Sequence, residues 1–355
     1  MSLSRRNEKP HETPEAQKEG ADTEMQEAER SHVEKLTAAF RESWKENHRE
    51  GDPKVSFKIF FAAHGVAEDA HPDLRDELLN TDIYMPEAVR WTLDLMKEFN
   101  DASRGEAAAY EHPNEKTRAL LDALHGTGVE VVFPDLPMGH EISEQSIRIL
   151  GERRQVLSLP FDEAVQRFDE SMHAFAMVVR AREEEIMKNI PIIIRKVLEQ
   201  NETLQNKDSL NVLLTYGDGH TALYHALSAT ESDVRREMSG TLHYSHGDEL
   251  IRKYLFGVAD SDRNAELPAH ALLDYAIQSV LEDRLSVLSA TTDETDRVSR
   301  LLLDSLNSND LSDVWSVFLS ERTPSALLSA VEEKGFVVPK TRAELDELLQ
   351  SKRKP

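Results

Sequence analysis

The chain has 355 residues, 42 basic against 66 acidic side chains, a formal net charge of −24 and no cysteine. That charge repels phosphate backbones and anionic lipid, which disfavours nucleic-acid binding. The missing cysteine removes disulfides, thiol nucleophiles, iron–sulfur clusters and thiolate zinc sites together. At roughly 150 residues per domain the length allows about two domains or one large one. Any metal would be held by His, Asp and Glu.

The start, MSLSRRNEKPHETPEAQKEG, carries positive charge with no apolar stretch behind it, so no secretory signal is expected. No apolar run approaches the roughly 20 residues of a membrane helix. A cytoplasmic protein without membrane attachment is therefore expected. Residues 1–22 lack apolar groups that could offset the entropy of ordering, and a disordered tail is expected there. Over 23–50, Val33, Leu36, Phe40 and Trp44 recur at helical spacing, predicting an amphipathic helix laid on the body or on a partner.

Val55–Ala63 (VSFKIFFAA) is rich in β-branched and aromatic residues and closes on His64-Gly65, predicting the first buried strand. A short helix over 72–79 follows, then a second strand over 82–85. Pro86 is expected to open a helix over 87–100. Asn114 can cap a helix over 115–125, with Gly126 just past its end, and Val129–Phe133 predicts a third strand stopping at Pro134 and Asp135.

Residues 161–200 read as helix, with Pro191 either kinking it or starting a second one. Asn211–Tyr216 resumes the strand pattern and breaks at Gly217-Asp218-Gly219-His220. Further helices are expected over 221–227, 248–256, 270–288 and 295–306. A late edge strand is expected over 335–339, and a last helix at the capping-box spacing of Thr341 and Glu344. Strands alternating with helices predict an α/β fold with a central, mainly parallel sheet flanked by helices and carrying helical additions at both ends. The α/β core is expected over 54–230. Residues 231–355 are expected to be a mainly helical continuation or a second subdomain.

Ligands of open parallel sheets bind outside the carboxyl ends of the strands. The residues that follow the predicted strands are His64, Glu87, Asp135, and Asp218 with His220. Imidazoles and carboxylates on one rim can hold a divalent ion or activate a water molecule. Singly, each is more often a helix cap or a solvated loop group. In the run Arg180–Glu185 only one or two charges can face inward, because helix neighbours point in different directions. Met172, Phe175, Met177, Val179, Ile186 and Met187 predict core rather than a soft-metal site. His71 and His140 are better placed as rim groups than as parts of a second metal site. No Walker loop, G-x-G-x-x-G, H-E-x-x-H or G-x-S-x-G is present.

The ordered set has a family likeness. It consists of His64-Gly65 after strand one, Pro86-Glu87 after strand two, Asp135-Leu136-Pro137 after strand three, the helical Arg182-Glu183 with Met187, Asn189 and Ile190, and Gly217-x-Gly219-His220 after strand four. This order resembles the superfamily that includes TraB/PrgY, the TIKI metalloproteases, erythromycin-esterase-like hydrolases and the ChaN haem-binding lipoproteins. The matched stretch runs from about Phe57 to Leu227. The resemblance implies a compact α/β fold with a polar pocket formed by His64, Glu87, Arg182 and His220, with Asp135 nearby. It departs at Phe60-Phe61-Ala62-Ala63, where several relatives carry Gly-Glu or Gly-Thr.

The expected activity is hydrolysis of an ester or peptide bond in a small-molecule or peptide substrate, with His64, Glu87, Asp135, Arg182 and His220 as the catalytic set. A divalent metal on His64, Glu87 and His220 is an expected assistant. The alternatives are a non-catalytic protein on the same scaffold that holds a metal, a haem-like ligand or a peptide, and an interaction protein. In the last, the terminal helices would mediate homo-oligomerisation or recruit a partner.

Overall fold

In a computed structural model the described residues are 14–62, 74–106, 115–230, 232–238, 245–256, 266–335 and 337–351. In chain order they form α1 (Pro14–Asn47), β1 (Lys54–Ala62), α2 (Leu74–Leu78), β2 (Ile83–Pro86), α3 (Leu93–Ser103), α4 (Glu115–Leu124), β3 (Glu130–Val131) and α5 (Glu141–Arg153). A 3-10 turn (Arg154–Ser158) leads into α6 (Phe161–Gln200), followed by α7 (Glu202–Gln205), β4 (Ser209–Gly217), α8 (Thr221–Ser228) and β5 (Asp233–Met238). The rest is helical: α9 (His246–Phe256), α10 (Leu267–Ser286), α11 (Thr292–Leu303), α12 (Ser308–Glu321), α13 (Pro324–Glu333) and α14 (Arg342–Ser351).

The five strands form one all-parallel sheet in the order β3-β2-β4-β1-β5. Alternation along the strands divides the side chains between two faces. Phe57, Ile59 and Phe61 of β1, with Met85, Val212 and Leu214, pack beneath α1, α6 and α8. Phe60, Tyr84, Val131 and Leu213 pack on the opposite face against α2, α3 and α4. A third core gathers the C-terminal helices with Ala164, Phe168 and Met172 from the start of α6. This helix of 40 residues, about 60 Å at 1.5 Å per residue, therefore serves both the sheet and the C-terminal helices.

Several expectations are corrected. Residues 14–22, expected to be disordered, belong to α1, where Pro14 takes the first helical position that proline tolerates. The stripe on α1 is used within the chain, because Leu36 and Phe40 are buried and Phe40 meets Phe57 edge-on at 6.1 Å. Pro86 ends β2 instead of opening a helix; Glu87 continues the ladder with its N–H on the Thr215 carbonyl, and α3 starts later, capped by Thr92. The chain runs through Pro191 as one helix.

The sheet core extends past residue 230, because β5 pairs with β1. Its sequence, DVRREM, lacks the apolar run of a central strand, as suits a partly exposed edge. No strand forms over 335–339 among the described residues. Val338 instead packs into the C-terminal helical core. Helices α5, α12 and α13 were not anticipated. Met177, expected in the core, is exposed.

At the other edge, Val131 turns its N–H and carbonyl away from β2, and the Asn100 side chain answers both, at 2.9 and 2.7 Å. One amide thus caps the edge that would otherwise present free pairing groups. Asn100→Ala orphans both and is expected to cost about 1–3 kcal/mol in urea unfolding; a loss within ~0.5 kcal/mol would show that water replaces the amide.

Candidate functional site

The chain leaves β2 towards β3 and leaves β4 towards β5, in opposite directions along the sheet. Such a reversal opens a crevice between the carboxyl ends of the two neighbouring strands. Glu87 follows β2 directly, and His220 lies in the short 3-10 turn (Asp218–His220) after β4. Asp135 follows the β3 edge, and Arg182 descends from α6. Arg182 and Asn189, seven residues apart and so on one helix face, both reach the segment after β3: Asn189 donates to the Pro134 carbonyl at 3.0 Å.

The structure brings four of the five expected residues together. Arg182 forks onto Asp135, Nε to Oδ1 at 2.9 Å and Nη2 to Oδ2 at 2.5 Å, and Nη2 also donates to Glu87 Oε1 at 2.7 Å. Asp135 Oδ1 also accepts the Leu136 N–H, and the Asp135 carbonyl accepts from Trp91 Nε1 at 2.6 Å. Glu87 Oε2 accepts the Gly217 N–H at 2.8 Å, tying β2 to the turn that carries His220. His64, the fifth, lies outside the described residues. Strand β1 ends at Ala62 in register with Gly217, on the same rim of the sheet.

His220 is buried between two carboxylates, with Nδ1 2.8 Å from Glu183 Oε1 and Nε2 3.3 Å from Glu87 Oε1. Burial alone would depress its basicity. The charge of Glu87 and the hydrogen bonds to Glu183 and Glu87 outweigh that and raise it to about 9. Arg182 Nη1, 3.4 Å from Nε2, opposes the charge without cancelling it. We take His220 as cationic, donating from both ring nitrogens. Its two carboxylate neighbours thus favour the cation over the neutral imidazole that would accept a proton from water.

Three residues join the network that were not assigned to the catalytic set. Glu183 is the inward member of the acidic run, whereas Glu184 and Glu185 pair with Lys188 at 3.0 Å on the surface side. Burial would raise the Glu183 carboxyl, but hydrogen bonds from His220 and His32 hold it below its ordinary value. His32 Nε2 sits 2.6 Å from Glu183 Oε2, so α1 is anchored into the same network. Its signal was present in the sequence, since His32 precedes Leu36 and Phe40 by whole helical steps of four. Tyr216 stacks edge-on against His220 at 5.8 Å, and its buried hydroxyl has no hydrogen-bond partner. Burial, then the charge of Asp135, pushes this phenol well up.

Of the three expected metal ligands, Glu87 and His220 lie in this network and His64 lies outside the described residues. The guanidinium and the His220 imidazolium already converge on Glu87 Oε1, where a divalent ion would compete with two cations. Among the described residues no group of three or more His, Asp or Glu is placed to hold a metal ion.

Beside the network lies a cavity of about 550 Å³, within the range of small-molecule sites. Trp91, Phe133, Leu136 and Ile193 form apolar wall, and Asp135, Asn189 and His140 lie on its border. His140 is thus at a cavity margin, and it also caps α5. No helix among the described residues is long and apolar enough to cross a membrane. No family model, curated protein or solved structure matches the chain.

Proposed function

We propose that the crevice between β2 and β4 hydrolyses an ester or amide bond in a small-molecule or peptide substrate, the activity implied by the resemblance to the TraB, TIKI and erythromycin-esterase-like superfamily. The observation that carries the reading is the convergence of Glu87, Arg182 and His220 at the strand ends where the topology opens the sheet. In this reading water adds to the substrate carbonyl as its proton passes to His64. Arg182 and His220 stabilise the negative oxygen that develops. The bond to the leaving group then breaks, and His220 supplies the proton that the leaving group takes up. Glu87 holds both cations in place. No step passes through a metal. The net charge of −24 and the absence of cysteine support a reaction in the cytoplasm that involves no nucleic acid.

The test is a panel of aryl esters and short peptides hydrolysed by the full chain, with His64→Ala and Glu87→Gln compared after circular dichroism shows them folded. Each variant is expected to lose about 10²-fold or more in kcat/KM. Hydrolysis unchanged in His64→Ala would remove the assigned base and with it this mechanism.

A second reading is favoured by one observation: each nitrogen of Arg182 already has a neighbour in Asp135, Glu87 or His220, as in a bracing network. The cavity beside Asp135 would then hold a ligand without turnover. Quenching of Trp91 fluorescence by a panel member that the chain never hydrolyses is the outcome expected of that binding protein.

A further inference from the structure

Far from the strand ends, α5, the 3-10 turn and the first turns of α6 enclose a pocket of about 620 Å³. Arg153, the last residue of α5, lines it and is only 7% exposed. A buried guanidinium ordinarily meets a carboxylate, as Arg182 does. Arg153 meets none. Its Nε donates to Ser171 Oγ at 3.3 Å, its faces lie over Phe168 and Phe175 at 5.6 and 5.3 Å, and Nη2 has no partner. Burial lowers its basicity, and the one influence acting against that is Tyr275. A cation desolvated in this way is costly to the fold, and the cost is recovered when an anion arrives.

The rest of the lining narrows the class of anion. Ile149, Val156, Leu159 and Ala174 provide apolar surface. Glu152, Glu163 and Glu170 also border the pocket, with Arg167 as a second cation 3.6 Å from Glu170, so the acids still outnumber the bases and repel a dianion more strongly than a monoanion. We infer that this pocket binds a small monocarboxylate with an aliphatic body, its carboxylate on the Arg153 guanidinium and its chain along the apolar wall. The site lies on different elements from the strand-end network and stands whether or not that network is catalytic.

Calorimetric titration of the full chain with acetate, butyrate and hexanoate tests this, with hexan-1-ol and inorganic phosphate as controls. Affinity is expected to rise with chain length among the carboxylates, and hexanoate is expected to bind roughly tenfold or more tightly than hexan-1-ol or phosphate. In Arg153→Met hexanoate binding is expected to fall by a similar factor. The unliganded variant should melt at or above the wild-type temperature, because an unpaired buried charge has been removed. A merely structural Arg153, held by its two rings, would instead lower the melting temperature on substitution. No binding of hexanoate, equal binding of hexan-1-ol or phosphate, or hexanoate binding unaffected by Arg153→Met would each overturn the inference. The wild-type series alone decides the question should the variant fail to fold.

Discussion

Asp135→Ala is expected to destabilise the protein by about 3–5 kcal/mol, enough to consume a large share of the 5–15 kcal/mol typical of a folded domain. The carboxylate is fully buried and accepts two of the three nitrogens of the Arg182 fork, so removal leaves a guanidinium out of water with Glu87 as its one remaining counter-charge. The cavity left by three missing heavy atoms is a small part of the loss; the uncompensated charge dominates. Asp135→Asn keeps the shape and one acceptor and is expected to fall between wild type and alanine.

The control is the double variant Asp135→Ala/Arg182→Met. It removes both charges and should be more stable than Asp135→Ala alone, because a buried pair replaced by apolar groups is often near neutral. Urea unfolding of the four proteins in the cycle checks this. A loss below about 1 kcal/mol in Asp135→Ala would mean that Glu87 suffices to neutralise Arg182, and the network would then be less tightly coupled than its distances imply.

Stability is expected to fall by about 3 kcal/mol between pH 6.5 and 9.5, through His220. Its folded value, about 9, lies above the ordinary 6.5, so the folded state holds the proton more tightly than the unfolded chain. That contribution is fully present below pH 6.5 and is lost as pH rises through about 9. Glu183 acts in the opposite sense. Its folded value lies below the ordinary 4.5, so its contribution is present above pH 4.5 and fades as acid protonates it. The buried phenol of Tyr216 is pushed upward from 10 and stays protonated across the alkaline range in question.

Guanidinium unfolding at half-unit pH steps, in wild type and His220→Gln, isolates the effect. The variant should show a much flatter alkaline limb, and the difference between the two curves should close as pH approaches 9.5. Parallel curves would show that His220 is neutral in the folded protein and free to act as a base, which would reverse its assigned role.

Much of the scaffold is legible in the sequence because local signals agree with one another. The runs read at 55–63 and 211–216 carry strand-type apolar patterns and end in breaker sequences, and they lie in the two longest strands, Lys54–Ala62 and Ser209–Gly217, which pair in register. The candidate residues could be selected by their positions after strands, since the carboxyl ends of parallel strands share one rim. The failures are equally local. β5, with two arginines and two acids in six residues, carries no strand signal, and its place is decided by pairing with β1. Pro86 reads as a helix start by its residue type, yet the ladder between β2 and β4 runs through it to Glu87.

By itself the sequence determined the residue types that meet at the strand ends, and it determined that no thiol chemistry takes place there. The protonation of those groups was decided by tertiary structure alone. Whether His220 is a base or a cation depends on two carboxylates within 3.3 Å, one from the loop after β2 and one from α6, and burial sets the strength of both interactions. Distance and dielectric govern charge, and neither is encoded in the spacing of residues along a chain. The same holds for Arg153, which α6 covers without pairing its guanidinium with an acid.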